Sequence, residues 1–245
     1  ATSAASDVYK RQPQPIQVNY VDLATGEDLQ IHQYTVDPGK TKTIEVDTTV
    51  EIDGKTYVLS PNQESTITHK FGEETTEYNV YFNEKGLEVD KYEVSVTYMN
   101  VSNTYVGEDT LYTTKLEANV GQELNIEVPA QYEANGTTYV LMSGQATSYS
   151  HDFYSTRRNY VMVYRDVNDT QNEIEFIPGE TGTDLAATTP GGTNFTIDGG
   201  TGNPMITNPD GTVTTVDQDG QIVPYEEPQT EVVDENETPV SYTHL

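Results

Sequence analysis

The chain has 245 residues, no cysteine and a formal net charge of −28. The length allows one or two domains, and the lack of cysteine excludes disulfides, thiolate catalysis and cysteine-based metal sites. A field this negative repels phosphate groups, which excludes nucleic-acid binding and disfavours anionic membrane surfaces.

The first 15 residues are polar and aperiodic, and we predict a disordered leader there. Within it, residues 6–12 resemble the translated adaptor read-through found at the ends of metagenomic gene fragments, and so do the closing residues 240–245. On that interpretation the natural termini, with a signal peptide and an anchor, are missing from this fragment. The alternative is a pair of ordinary disordered ends.

Two stretches of the chain repeat each other. Residues 39–82 align without a gap with residues 121–164, and 14 of the 44 positions are identical. Self-similarity at a fixed shift is the signature of a tandem array of one structural unit. We therefore expect two modules of similar fold, repeat 1 at residues 16–83 and repeat 2 at residues 92–166, joined by a short charged linker at residues 84–91.

The pattern inside each repeat indicates β-structure. Residues 16–21 and 94–98 alternate apolar with polar side chains, as half-buried strands do. Asp53-Gly54 is a hairpin-type turn. Because no ten-residue segment shows an apolar period of 3.6, we predict a mainly β fold.

The remainder, residues 167–245, is rich in Pro, Gly and Thr. Residues 166–245 carry 16 acidic residues and neither Lys nor Arg. A segment this polar and this charged is predicted to stay disordered, as an acidic linker of the wall-spanning type. Its Asp-Gly dipeptides are typical of turns, and the only structure that we expect in this segment is a transient hairpin near residues 212–216.

Several short motifs resemble the MucBP (mucin-binding protein) repeat. Repeat 1 carries Val18–Asp22, the turn residue Gly39, Tyr57-Val58-Leu59 and the closing residues 78–82, and repeat 2 matches through residues 96–98, 120–123, 139–141 and 160–164. Repeat 2 departs from the family pattern at residues 98–100. The resemblance implies β-grasp-like modules on the surface of a Gram-positive bacterium, anchored to the cell wall, that bind host mucin or another glycoprotein or glycan.

One cluster distinguishes repeat 2 from repeat 1. Gly72, Thr75 and Thr76 of repeat 1 are replaced by Tyr154, Arg157 and Arg158. Tyr and Arg are enriched at binding hot spots, and aromatic faces stack on sugar rings. These three residues are the candidate ligand-binding site, and the alternative is a loop with local charge compensation.

His69 and His151 occupy matching positions, two residues before Phe71 and Phe153. Alternate residues of a strand share a face, so we predict hydrogen-bonded histidines at the edge of each core. A metal site lacks partner ligands in the sequence, and no cofactor motif is present.

No catalytic motif is recognisable in the sequence, so we do not expect an enzyme. The predicted function is that of a monomeric fragment of a cell-surface adhesin, extracellular and without membrane contact of its own. The alternative is a non-binding stalk that projects a missing head domain from the cell wall.

Overall fold

The structure is a computed structural model that describes residues 12–101, 109–179 and 184–236. Within these ranges all regular secondary structure is β, and there is no helix. The chain divides into two compact units, unit 1 comprising Ala1–Val89 with Pro228–Leu245, and unit 2 comprising Asp90–Glu227. Residues 1–11 of the predicted leader and the closing residues 240–245 lie outside the described ranges. The predicted end of the leader is wrong, because Gln14 and Pro15 already belong to the first strand. The described residues form no helix long and apolar enough to cross a membrane.

Unit 1 contains the strands of repeat 1 and one strand from the end of the chain. These are β1 (Gln14–Asp22), β2 (Asp28–Val36), β3 (Thr41–Glu45), β4 (Thr49–Ile52), β5 (Lys55–Leu59), β6 (Thr66–Lys70), β7 (Glu77–Glu84) and, numbered by its place in the chain, β21 (Glu231–Asp234). The main sheet has the order β21-β2-β1-β7-β5-β4, while β3 and β6 form a separate antiparallel pair.

The first and last strands of repeat 1, β1 and β7, run parallel at the centre of the main sheet. Alternate residues of these strands point into one core, formed by Ile16, Val18, Tyr20, Val36, Ile44, Val46, Tyr57, Val80 and Phe82. The predicted turn at Asp53-Gly54 is confirmed: both residues have positive φ, and the turn connects β4 to β5 as an antiparallel hairpin.

Repeat 2 folds by the same plan within unit 2. Its strands are β8 (Lys91–Asn100), β9 (Asp109–Asn119), β10 (Leu124–Glu127), β11 (Gln131–Ala134), β12 (Thr137–Leu141), β13 (Ser148–His151) and β14 (Asn159–Asp166). The sheet order is β11-β12-β14-β8-β9, with β14 parallel to β8, and β10 pairs with β13. The prediction of two tandem β modules is therefore confirmed.

The prediction of a disordered acidic linker is wrong for most of the residues beyond repeat 2. They form a six-stranded antiparallel meander made of β15 (Ile177–Pro178), β16 (Leu185–Thr188), β17 (Asn194–Ile197), β18 (Pro204–Thr207), β19 (Val213–Val216) and β20 (Ile222–Pro224). Tight turns connect β18 to β19 at Asp210-Gly211 and β19 to β20 at Asp219-Gly220.

The meander is ordered because its few apolar side chains share a core with repeat 2. Ala187, Phe195, Ile197, Ile206 and Val216 are buried in one cluster with residues of repeat 2 such as Met99, Met142, Val161 and Val163. Four-residue strands bury little surface alone, so they gain stability by packing against an existing sheet. The composition of the segment alone carries no information about its packing on repeat 2.

Candidate functional site

The candidate site lies on the loop that connects β13 to β14 in unit 2. Two side chains bend this loop: Asp152 Oδ1 accepts a hydrogen bond from the backbone nitrogen of Tyr154 at 2.7 Å, and Ser155 Oγ accepts one from that of Arg157 at 3.1 Å. Such short-range bonds from Asp and Ser side chains stabilise turns. The loop therefore carries its arginines in a defined conformation.

Arg157 is held between two aromatic rings. Its guanidinium carbon lies 4.4 Å from the ring centroid of Tyr160 and 4.9 Å from that of Tyr149. Its Nε donates a hydrogen bond to the backbone oxygen of Asn159 at 3.1 Å. Cation–π contacts of this kind orient a guanidinium without neutralising it. The side chain is half-buried, so part of it remains open to solvent.

A cleft of about 220 Å³ opens beside this guanidinium. Its wall joins repeat 2 to the meander, because it is lined by Gly144, Ala146, Tyr149, Arg157, Leu185, Ile197 and Gly199. Pockets for drug-sized ligands measure about 300–1,000 Å³. A cleft of this size is suited to a single sugar residue or a small charged group.

Arg157 differs in its ion pairing from other cationic side chains of unit 2. Lys91 pairs with Glu117 at 3.0 Å, Lys115 with Asp219 at 2.7 Å, and Arg165 with Glu173 at 3.5 Å. Within the described part of the chain, by contrast, no carboxylate forms an ion pair with Arg157. The cleft therefore presents a positive charge in a protein whose net charge is −28.

Arg158 points away from the cleft and into the protein. It is 4 % exposed, its guanidinium lies 3.7 Å from the ring centroid of Tyr92, and its Nη1 donates a hydrogen bond to the backbone oxygen of Ser155. Tyr154 is half-buried and packs edge-on against Phe153, with the ring centroids 5.3 Å apart. The structure thus brings only Arg157 of the three predicted residues to the cleft, and the binding role of all three stays a prediction.

His151 anchors the strand next to this loop. It is 1 % exposed, and its two ring nitrogens lie 2.8 Å from the hydroxyls of Tyr160 and Tyr92. The Tyr92 hydroxyl donates to the backbone oxygen of Phe153, so it accepts from His151 Nε2–H, and Nδ1 in turn accepts from Tyr160. Burial, followed by the nearby charge of Arg158, lowers the pKa of His151 to about 4. The ring is therefore neutral at physiological pH.

The matching residue His69 is also fully buried and hydrogen-bonded, with Nδ1 2.8 Å from the hydroxyl of Tyr78. Both histidines thus support their strands, as predicted. Across the described ranges, no three His, Asp or Glu residues are grouped so that they could hold a metal ion.

A turn of the meander holds the site loop from the other side. Four contacts connect the two segments: Thr156 Oγ1 to Gly200 O at 2.8 Å, Arg158 N to Thr201 O at 3.2 Å, Asn159 N to the same oxygen at 3.4 Å, and Asn159 Nδ2 to Asn203 Oδ1 at 2.5 Å. Gly202 allows this close approach. It has a φ of 76°, and a Cβ there would overlap the backbone oxygen of Asn159 and lie 2.8 Å from Arg157 Nε.

The solved structures that are similar to this chain include two repeat-domain structures. One is titled "Streptococcal High Identity Repeats in Tandem (SHIRT) domains 3-4 from cell surface protein", at 10% identity and a TM-score of 0.23. The other is titled "Crystal structure of Mub-RV", at 19% identity and a TM-score of 0.21. Each match covers 62% of this chain and 98% of the other. No protein-family model and no curated protein matches the sequence. At such low TM-scores, we base the function on the residues of this chain.

Sequence reasoning did not find the other walls of the cleft. Tyr149 carried a signal, because it replaces Ile67 of repeat 1 two residues before a conspicuous histidine. Leu185 and Ile197 carried only the short alternation of their strands, inside a segment whose composition predicted disorder. The cleft exists because the meander packs on repeat 2, which no local pattern reports.

Proposed function

We propose that the chain is a fragment of a Gram-positive cell-surface adhesin, and that unit 2 binds host mucus glycans or glycoproteins at the cleft beside Arg157. The observation that carries the proposal is the charge of this residue. Arg157 is oriented by two tyrosines and has no ion-pair partner among the described residues, although the protein is strongly acidic. Repeat 1 has Thr75 at the equivalent position, so the feature belongs to unit 2.

The wider setting is part of the same proposal. The MucBP-like motifs support extracellular, wall-anchored display and a β-grasp-like class for the two modules, and we further propose a monomer without catalytic activity. The central parallel pair of strands in each module supports the β-grasp-like class. The acidic surface favours solubility in a crowded extracellular space.

The proposal is tested with the whole chain on immobilised mucin and on a glycan array. We expect the wild-type protein to bind and Arg157→Ala to weaken binding at least about tenfold, because truncating a hot-spot arginine costs upwards of about 1–2 kcal/mol. The Tyr154→Ala variant tests the second predicted residue. Thr75→Ala, at the equivalent position in repeat 1, is the matched control and leaves binding unchanged.

The alternative function is a non-binding stalk. It is favoured by the inward position of Arg158, whose contact with Tyr92 gives part of the predicted cluster a structural role. On that alternative neither the wild type nor any variant binds mucin or glycans above background. Binding that is retained in full by Arg157→Ala would contradict the site and not the adhesive function.

A further inference from the structure

The cleft also indicates which class of sugar it takes. We propose that it binds an acidic sugar, one that presents a carboxylate or a sulfate group to Arg157 while its ring lies against Tyr149. This inference rests on the proposed glycan-binding function and narrows it from glycans in general to anionic ones.

The guanidinium of Arg157 has donors that are available to a ligand. Only its Nε forms a hydrogen bond within the described chain, to Asn159 O at 3.1 Å, so the terminal nitrogens retain donors for a ligand. The paired donors of a guanidinium match the two oxygens of a carboxylate or sulfate, and such charge-assisted pairs are stronger than neutral hydrogen bonds. The rings of Tyr149 and Tyr160 restrict the side chain before any ligand arrives. Preorganisation of this kind lowers the entropic cost of binding.

An apolar surface lies beside this charge. Tyr149, Leu185 and Ile197 supply an aromatic and aliphatic wall, and Gly144 and Gly199 also line the cleft. A sugar ring has apolar C–H faces that pack on such a wall. An inorganic anion would use the arginine alone and gain nothing from the wall. The combination therefore favours an anionic group carried on a ring.

The net charge of the protein affects how an anionic ligand reaches the cleft. An anionic ligand approaches a molecule with a net charge of −28, so long-range electrostatics do not attract it. Selectivity for an acidic sugar must then come from short-range pairing with Arg157. Consequently, a single additional negative charge inside the cleft is expected to abolish the preference, whereas the same change of charge elsewhere is not.

The test compares three matched oligosaccharides by ligand-observed NMR with the whole chain: a neutral parent, the parent with a terminal sialic acid, and the parent with a sulfate group. We expect either acidic form to bind at least about tenfold more tightly than the neutral parent, since a hydrogen bond to a charged group has about that effect. If only one of the two acidic forms binds more tightly than the neutral parent, that form shows whether the cleft takes a carboxylate or a sulfate group.

Two pairs of variants locate the effect. Arg157→Gln removes the charge, and Lys115→Gln makes the same change at a surface pair outside the cleft. Because Arg157 also packs between two rings, a second pair leaves it in place: Ala146→Asp puts a carboxylate on the exposed wall of the cleft, and Ala146→Asn is its neutral isostere. We expect Arg157→Gln and Ala146→Asp to lose the preference for acidic sugars, and Lys115→Gln and Ala146→Asn to keep it.

The outcomes separate this inference from the function on which it rests. Binding of all three sugars with equal affinity, or equal behaviour of Ala146→Asp and Ala146→Asn, overturns the acidic-sugar inference and leaves glycan binding intact. A wild-type protein that binds none of the three sugars and no mucin overturns both.

Discussion

A glycine-to-alanine substitution at Gly202 tests whether the meander really holds the site loop. Gly202 has a φ of 76°, and a Cβ there would meet the Asn159 backbone oxygen and Arg157 Nε. The substitution therefore adds one methyl group at the contact between the turn of residues 198–203 and the loop before β14. It changes no charge and removes no functional side chain.

The expected loss of stability has two parts. An L-residue at positive φ costs roughly 1–2 kcal/mol. Moving the turn away also weakens the backbone contacts of Thr201 with Arg158 and Asn159 and the side-chain bond between Asn159 and Asn203. At about 1 kcal/mol for each hydrogen bond, the displacement adds about 2–3 kcal/mol. We therefore expect a total of about 3–5 kcal/mol.

Gly211 provides a matched control on the same meander. It has a φ of 87°, but a Cβ there meets nothing within 4 Å. The loss in free energy of unfolding caused by Gly211→Ala therefore reports backbone strain alone. The difference between the losses of the two variants, measured by denaturant unfolding, reports the contact of Gly202 with the site loop. The Gly202→Ala variant should also bind the ligand of the cleft more weakly, because Arg157 is displaced. Equal stabilities of the two variants would refute the packing of the meander on this loop.

Three further predictions concern the interior of unit 2. Burial lowers the pKa of His151 to about 4 from 6.5. On acidification, the imidazole therefore takes up a proton at a higher pH in the unfolded chain than in the folded one. The free energy of unfolding should fall by up to about 3 kcal/mol between about pH 6.5 and pH 4, and denaturant titrations of His151→Gln should lack that part of the slope. Phe195→Ala should cost about 3–5 kcal/mol, whereas Met205→Ala, at a side chain 37% exposed, should cost under about 1 kcal/mol; equal losses in thermal unfolding would contradict a core in the meander. Arg158→Lys should lower the melting temperature, because a lysine cannot reproduce the planar stacking on Tyr92, and an unchanged melting temperature would contradict a structural role for the contact.

The duplication and the fold class of the repeats were readable from the sequence, since both depend on local and periodic signals. A strand with one buried face must alternate, as residues 16–21 do, and Asp53-Gly54 supplies the positive φ values that a tight hairpin requires. The buried positions of His69 and His151 followed from the same period-two pattern. The change from Thr75 to Arg157 between the repeats also singled out the residue that lies in the cleft.

Only the tertiary structure decided which side of the protein each arginine faces and whether the meander is ordered. Arg157 and Arg158 are adjacent and chemically identical, yet one lines the cleft and the other is buried on Tyr92. Their different contacts come from groups distant in sequence, which a local pattern does not show. The meander has the composition of a disordered segment, and Phe195 and Ile197 are buried in one cluster with Val161 and Val163 of repeat 2. Burial is a property of two surfaces together, so no pattern within one of them reveals it.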